Sequence, residues 1–145
     1  MATREQLRTL ADLRLREAEA LFNTGLYDGC AYLCGYVVEF ALKARVCATL
    51  GVTEYPEKIG DAKRGRLIEA FRTHDFDELR LLAGMQNDPT MATPSFLTNW
   101  SVAIRWKPER RYEPEGSYDR EAALEILDAI RRQPDGVLAC ISLRW

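Results

Sequence analysis

The chain has 145 residues, 47% of them hydrophobic and 29% charged, with a net charge of −2. That length suits a single domain over 1–145 with enough apolar material for a sizeable core. The near-neutral balance excludes a global field that would draw the protein onto nucleic-acid backbones or an anionic membrane, so any nucleic-acid contact must come from a local cluster. No apolar run is long enough to span a bilayer, and the charged, amphipathic start MATREQLRTLADLRLREAEA has no signal-peptide apolar core. A cytoplasmic location with no membrane partner is therefore expected.

The first predicted helix runs from about Arg4 to Asn23, where Thr3 followed by Gln6 forms a capping box. Its apolar stripe holds Leu7, Leu10, Ala11, Ala18, Leu21 and Phe22, with Arg14 inside it. Arg14 either packs its stem and sends its head outward, or reaches a buried acid such as Glu39 or Asp28. Gly25 ends the helix as a left-handed cap, and the short connection makes the next helix an antiparallel neighbour.

That second helix, LYDGCAYLCGYVVEFALKARVC over 26–47, is apolar almost all the way round and ends near Gly51. Such a helix belongs at the centre of a bundle. At about 100° per residue, Asp28, Tyr32, Gly35, Glu39 and Lys43 form one narrow polar line along it. Charges there are costly unless paired, so the line is either an internal ion-pair seam or the wall of a site.

Residues 51–63 read as a loop, followed by a short helix at about Arg66–Arg72. His74-Asp75 breaks it, and Asp75 with Glu78 is a second capping box opening another short helix that ends before Gly84. Thr93-Pro94 starts a helix expected to reach Trp106, carrying Phe96, Trp100, Ala103 and Ile104. The polar loop KPERRYEPEGS follows. A last long helix runs from about Tyr118 to Gln133 on Ala123, Ile126, Leu127 and Ile130, and Asp135 is the predicted cap of a terminal segment ending at Trp145. No strand pattern or internal repeat competes. The expected fold is all-α: an antiparallel up-down bundle of three or four long helices with a short helical insert.

The cysteines are Cys30, Cys34, Cys47 and Cys140, and the single histidine is His74. A structural zinc site needs four ligands, and no CxxC is present. The cysteines are read as small apolar residues, with no metal or other cofactor expected. P-loop, GxGxxG and GxSxG signatures are also absent.

Chemistry concentrates after residue 100. WSVAIRWKPERRYEP holds Arg105, Lys107, Arg110, Arg111 and Tyr112 beside Trp100 and Trp106. Arginines among aromatic rings suit phosphate grip and base stacking. Glu109, Glu113 and Glu115 dilute the charge, so a solvated loop with one arginine turned in toward Glu39 is the competing reading.

The hairpin NTGLYDGCAYLCGYVVEFALKA, then THDFDELRLLAG, then NWSVAIRWKPERRY, in that order, resembles the HEPN family (higher eukaryotes and prokaryotes nucleotide-binding domains), and more narrowly its small stand-alone bacterial members. The resemblance spans roughly Glu17 to Arg132. It implies a helical bundle, often a homodimer, in a family whose members bind nucleotides, cut RNA as toxins, or partner small nucleotidyltransferases in toxin–antitoxin pairs. Ribonuclease members carry an arginine, four to six intervening residues and then a histidine. The matching arginine is Arg105, but the histidine positions hold Arg110, Arg111 and Tyr112.

RNA cleavage without metal needs one group to take the 2′-hydroxyl proton and another to protonate the leaving oxygen. Arginine stays protonated and tyrosine is a poor base near neutrality. His74 substitutes if the fold brings it near; otherwise it is a helix-boundary residue bonded to a nearby carbonyl.

The favoured expectation is therefore a binding module for nucleotide, RNA phosphate or a nucleotidyltransferase-type partner. Lys43, Arg105, Arg110, Arg111 and Tyr112 would contact the ligand, and Glu39, Asp28 and Tyr32 would support them, with Glu39 holding Arg110 or Arg111 and Lys43 meeting a phosphate. The alternatives are a metal-independent ribonuclease toxin using Arg105 and Tyr112, and a structural or regulatory homodimer. Trp100, Trp106 and Trp145 fit either the core or such a dimer interface.

Overall fold

The computed structural model describes residues 2–57 and 68–145, and among them it holds six α-helices and no strand. The first, α1 (Arg4–Asn23), opens with the expected capping box. The Thr3 hydroxyl accepts the Gln6 N–H at 3.1 Å and the Gln6 side chain accepts the Thr3 N–H at 2.9 Å. Leu7, Ala11 and Ala18 are its buried face. Arg14 pairs with Glu17 one turn along its own helix, so it stays outside the core's charges. Gly25, at φ +79°, turns the chain into α2 (Tyr27–Leu50), which stops at Gly51 in the left-handed region.

The second helix is the axis of the molecule. It packs against α1 along the hairpin and also against three of the shorter helices that follow. Cys30, Ala31, Cys34, Gly35, Val37 and Val38, then every residue from Ala41 to Cys47, are buried along it. The free cysteines are all buried and fill space as small apolar groups. Beyond Gly51 the chain runs back over the start of α1: Arg4 N–H reaches the Thr53 carbonyl and Tyr55 N–H the Ala2 carbonyl. The loop expected over 51–63 is described as far as Glu57, and it is not helical there. Of the helix expected at about Arg66–Arg72, residues 66 and 67 lie outside the described residues, Ile68 and Glu69 are helical, and 70–72 turn out of the helix with Phe71 N–H on the Ile68 carbonyl.

The insert helix is α3 (Phe76–Leu82), and Asp75 caps it by accepting the N–H groups of Asp77 and Glu78. The predicted return bond from Glu78 to Asp75 is not made. The Asp75 N–H goes to the Thr73 hydroxyl, which itself donates to the Glu78 carboxylate. A 3-10 turn, Pro89–Met91, leads to α4 (Pro94–Ala103), where Thr93 accepts the Phe96 N–H and Pro94 holds the first helical position.

This helix stops at Ala103 rather than at Trp106, because the Trp106 indole crosses to α2 and donates to the Tyr32 carbonyl at 3.0 Å. A second 3-10 turn, Pro108–Tyr112, precedes α5 (Arg120–Arg131) and then α6 (Val137–Ser142). The cap of α6 is Gly136, without a side-chain bond; Asp135 instead offers its carbonyl to Asn99.

Leu42, Leu79, Met85, Phe96, Leu127, Ile130 and Ile141 close the core around α2, each worth roughly 1.5–3 kcal/mol when removed from water. Trp100 and Trp106 are buried within this chain, and Trp145 lies under the Arg8 guanidinium. No helix among the described residues is long and apolar enough to cross a membrane.

Candidate functional site

The polar line of α2 meets different surroundings at its two ends. At the N-terminal end Asp28 and Tyr32 form one wall of a pocket of about 330 Å³, whose other walls are Trp106, Arg110, Arg111 and Tyr118. Trp106 is seated on Gly35, so closely that a methyl at that position would coincide with the indole. Only glycine lets the ring lie flat on the helix there. Phe76 stacks on the indole with centroids 5.4 Å apart, and Tyr36 meets it edge-on at 5.1 Å.

The two guanidinium groups supply the positive charge. Arg110 hydrogen-bonds the Tyr118 hydroxyl and lies over its ring, with Glu113 at 3.9 Å as its nearest acid. Arg111 is exposed, lies 4.8 Å over the Tyr112 ring and donates to its hydroxyl at 3.0 Å. Burial pushes the Tyr118 phenol up while Arg110 pulls it down, with a net rise. Burial, then the hydrogen bond shared with Tyr32, pushes Tyr36 up to about 12. These phenols stay protonated at neutral pH. Asp28 does not cancel the arginines by direct pairing, because its oxygens accept the backbone N–H groups of Gly116 and Tyr118.

The C-terminal end of the line is closed. Glu39 is 2% exposed and pairs with Lys43 at 2.9 Å and His74 at 2.8 Å. An ionised carboxylate can only accept, so the His74 Nδ1 carries the proton of that bond. Lys43 is buried, with its ammonium 5.1 Å from the Tyr55 ring centroid.

The expected partnership of Glu39 with Arg110 or Arg111 therefore does not form. Glu39 stands eleven residues beyond Asp28, roughly 16 Å along the helix axis, while both arginines sit at the Asp28 end. Lys43 is likewise turned to Glu39 rather than to the pocket. Arg105 faces α5, with Glu125 at 3.5 Å, and Tyr112 is 77% exposed beside Arg111 rather than in the wall. The structure thus gathers Asp28, Tyr32, Arg110 and Arg111, and leaves Lys43, Arg105, Tyr112 and His74 outside the pocket wall.

His74 lines a separate, wider depression of about 590 Å³ on the other side of Trp106. It is bonded to a carboxylate and not to the carbonyl expected of a helix-boundary residue. Arg72 and Lys107 share that depression with Glu69, Asp75, Asp77, Glu78 and Glu109, a surplus of acid that disfavours phosphate there.

The aromatic neighbours Trp106 and Tyr118 were both in view in the sequence, but nothing marked Tyr118 as a wall or Trp106 as the indole on Gly35. A glycine in the middle of a buried helix was the one available signal.

Arg110, in the wall of the 330 Å³ pocket, grips anions but accepts no proton. The arrangement sets two guanidinium groups beside aromatic faces, a chemistry that suits a negatively charged group.

A family profile described as HEPN domain matches residues 5–132, from the first turn of α1 to the residue that caps α5. No curated protein and no solved structure matches the chain. The matched stretch contains every wall of the pocket and both ends of the polar line. The chain belongs to the HEPN family.

Proposed function

We propose that this HEPN domain is a binding module for a nucleotide or an RNA phosphate, with the anion on Arg110 and Arg111 and the ring against Tyr32, Trp106 and Tyr118. The observation that carries this reading is the convergence of two guanidinium groups and three aromatic rings on one opening of about 330 Å³, within the usual size range of small-molecule sites. Charge-assisted bonds from arginine to phosphate supply orientation, and stacking supplies sequence-tolerant affinity. Ribonuclease action through Arg105 and Tyr112 has less support: Arg105 is directed to Glu125, and no histidine lines the pocket beside Arg110.

The test is calorimetric titration and thermal shift with ATP and with a short single-stranded RNA. The parent protein is expected to melt higher with either ligand, as mass action requires. Arg110→Ala with Arg111→Ala should weaken binding by about tenfold or more, since a bond to a charged group is worth about 1.5–3 kcal/mol. Equal affinity in parent and double variant, or no binding of either ligand at millimolar concentration, overturns the reading. Total RNA incubated with the protein in chelator tests the alternative, which requires cleavage that disappears in Arg105→Ala and Tyr112→Phe.

A further inference from the structure

From Trp106 to the core residue Ala123 the chain runs through sixteen residues, none of them buried. Seven in succession, Arg111–Ser117, are exposed. This stretch carries the two arginines and Tyr118, which form one side of the pocket. Apolar burial cannot hold it in place, because it contributes nothing to the core. Ordering its backbone costs about 1–2 kcal/mol per residue, so something else must fix it.

At its beginning the Trp106 indole does so, through Gly35 and the Tyr32 carbonyl. Near its end the fixing contact is Asp28. The Asp28 Oδ2 accepts the Gly116 N–H at 2.7 Å and Oδ1 accepts the Tyr118 N–H at 2.8 Å. Between the two bonds the chain makes its own tight turn, with Gly116 at φ +81° and the Ser117 N–H on the Pro114 carbonyl.

We infer that Asp28 is the positioning residue of the anion pocket: its carboxylate clamps the 116–118 turn onto the start of α2 and thereby sets the Tyr118 ring and hydroxyl that hold Arg110. The inference rests on the binding reading above only for the identity of what is bound.

The chemistry requires a carboxylate of this length. Two separate oxygens each take one N–H, which an amide cannot reproduce: asparagine offers one oxygen and sets an NH₂ group against the second donor. Glutamate is one methylene longer and misplaces both oxygens. Asp28 lies in the first turn of α2, where a negative charge is stabilised by the helix dipole. With both oxygens engaged, an arriving phosphate meets the clamp as a filled hydrogen-bond site and the arginines as open donors. Without it, the pocket's far side becomes an ensemble, and the ligand must order it on binding, which lowers the apparent affinity.

The experiment is performed on the full chain with Asp28→Ala, Asp28→Asn, Arg110→Ala and the Asp28→Ala/Arg110→Ala pair. ATP affinity is measured by calorimetry. Amide exchange at Gly116 and Tyr118, and the ring-current shift of the Arg110 Nε–H, are read by NMR.

The expected result is lost protection at both amides in Asp28→Ala and at one of them in Asp28→Asn, with the Arg110 resonance moving away from its ring-shifted position. ATP affinity falls about tenfold in Asp28→Ala, and the paired variant loses less than the sum of the two single variants, because the part of the clamp's effect that runs through Arg110 is already gone. Unchanged protection and an unmoved Arg110 resonance in a folded Asp28→Ala variant overturn the inference, as do fully additive losses in the pair. If the parent binds neither ATP nor RNA, the binding reading fails, and the exchange and NMR measurements decide the role of Asp28 by themselves.

Discussion

The two halves of the α2 polar line use similar residues for opposite purposes. In the first half, Asp28 faces backbone N–H groups of an exposed turn, and Tyr32 faces an open pocket. In the second half, Glu39 and Lys43 face each other, and the neighbouring Arg45 reaches across the core to Asp88 at 2.8 Å and to the carbonyls of Cys140 and Ile141. Both halves pair their charges. The first does so while leaving room for a guest, and the second leaves none. A buried charge therefore marks a site only when its partners are arranged around a space.

The sharpest way to break the closed half is Arg45→Met. It strands Asp88, whose side chain is 4% exposed, and removes the donors to α6. A loss of about 3–5 kcal/mol is expected, read as a lower midpoint in urea unfolding, because removing one partner of a buried pair leaves the other charge uncompensated. The same pair has a pH signature. The Thr90 hydroxyl first, then Arg45 and the Thr90 N–H, hold the Asp88 carboxyl down at about 2 against the resistance of burial. A depressed carboxylate stabilises the fold fully above its unfolded value near 4, and that contribution is lost as pH falls toward 2. The parent should therefore lose stability over that window more steeply than Asp88→Asn, which no longer titrates there.

At the junction of the halves stands Gly35. Replacing it with alanine puts a methyl into the Trp106 indole, a rigid group packed against Phe76 and Tyr36. Overpacking of this kind costs about 1–3 kcal/mol. The expected outcome is a displaced Trp106, seen as a red-shifted tryptophan emission, together with loss of ATP binding. A variant with parental emission and parental affinity would show that Trp106 does not tie the two halves together.

The smallest expected effect lies in the open half. Glu113 is the carboxylate nearest to Arg110, and a phosphate would compete with it. Pairs this exposed are worth about 0.2–1 kcal/mol, so Glu113→Gln should tighten ATP binding by roughly 1.5- to 5-fold with little change in melting temperature. A weaker-binding Glu113→Gln variant would instead make Glu113 a ligand contact.

Much of the fold was legible because it is written in local rules. The capping box at Thr3 and Gln6, the left-handed Gly25 and the Thr93-Pro94 start each depend on residues within one turn of one another. Boundaries were misread where a distant contact intervened. The helix expected to reach Trp106 stops at Ala103, and the one expected from Tyr118 starts at Arg120, because Tyr32 claims the first indole and Asp28 claims the Tyr118 N–H.

The site divides in the same way. Periodicity placed Asp28, Tyr32, Gly35, Glu39 and Lys43 on one line, and composition marked the arginine-bearing loop, so the sequence by itself determined which surfaces carry the charge. Only the tertiary structure decided which end of the line the loop crosses, and hence that Asp28 rather than Glu39 holds it, that His74 is the partner of Glu39, and that Arg45 pairs with Asp88. The physical reason is range. Helix spacing and capping are set within a few residues, whereas a salt bridge or clamp spanning 35 to 90 residues depends on how whole helices pack.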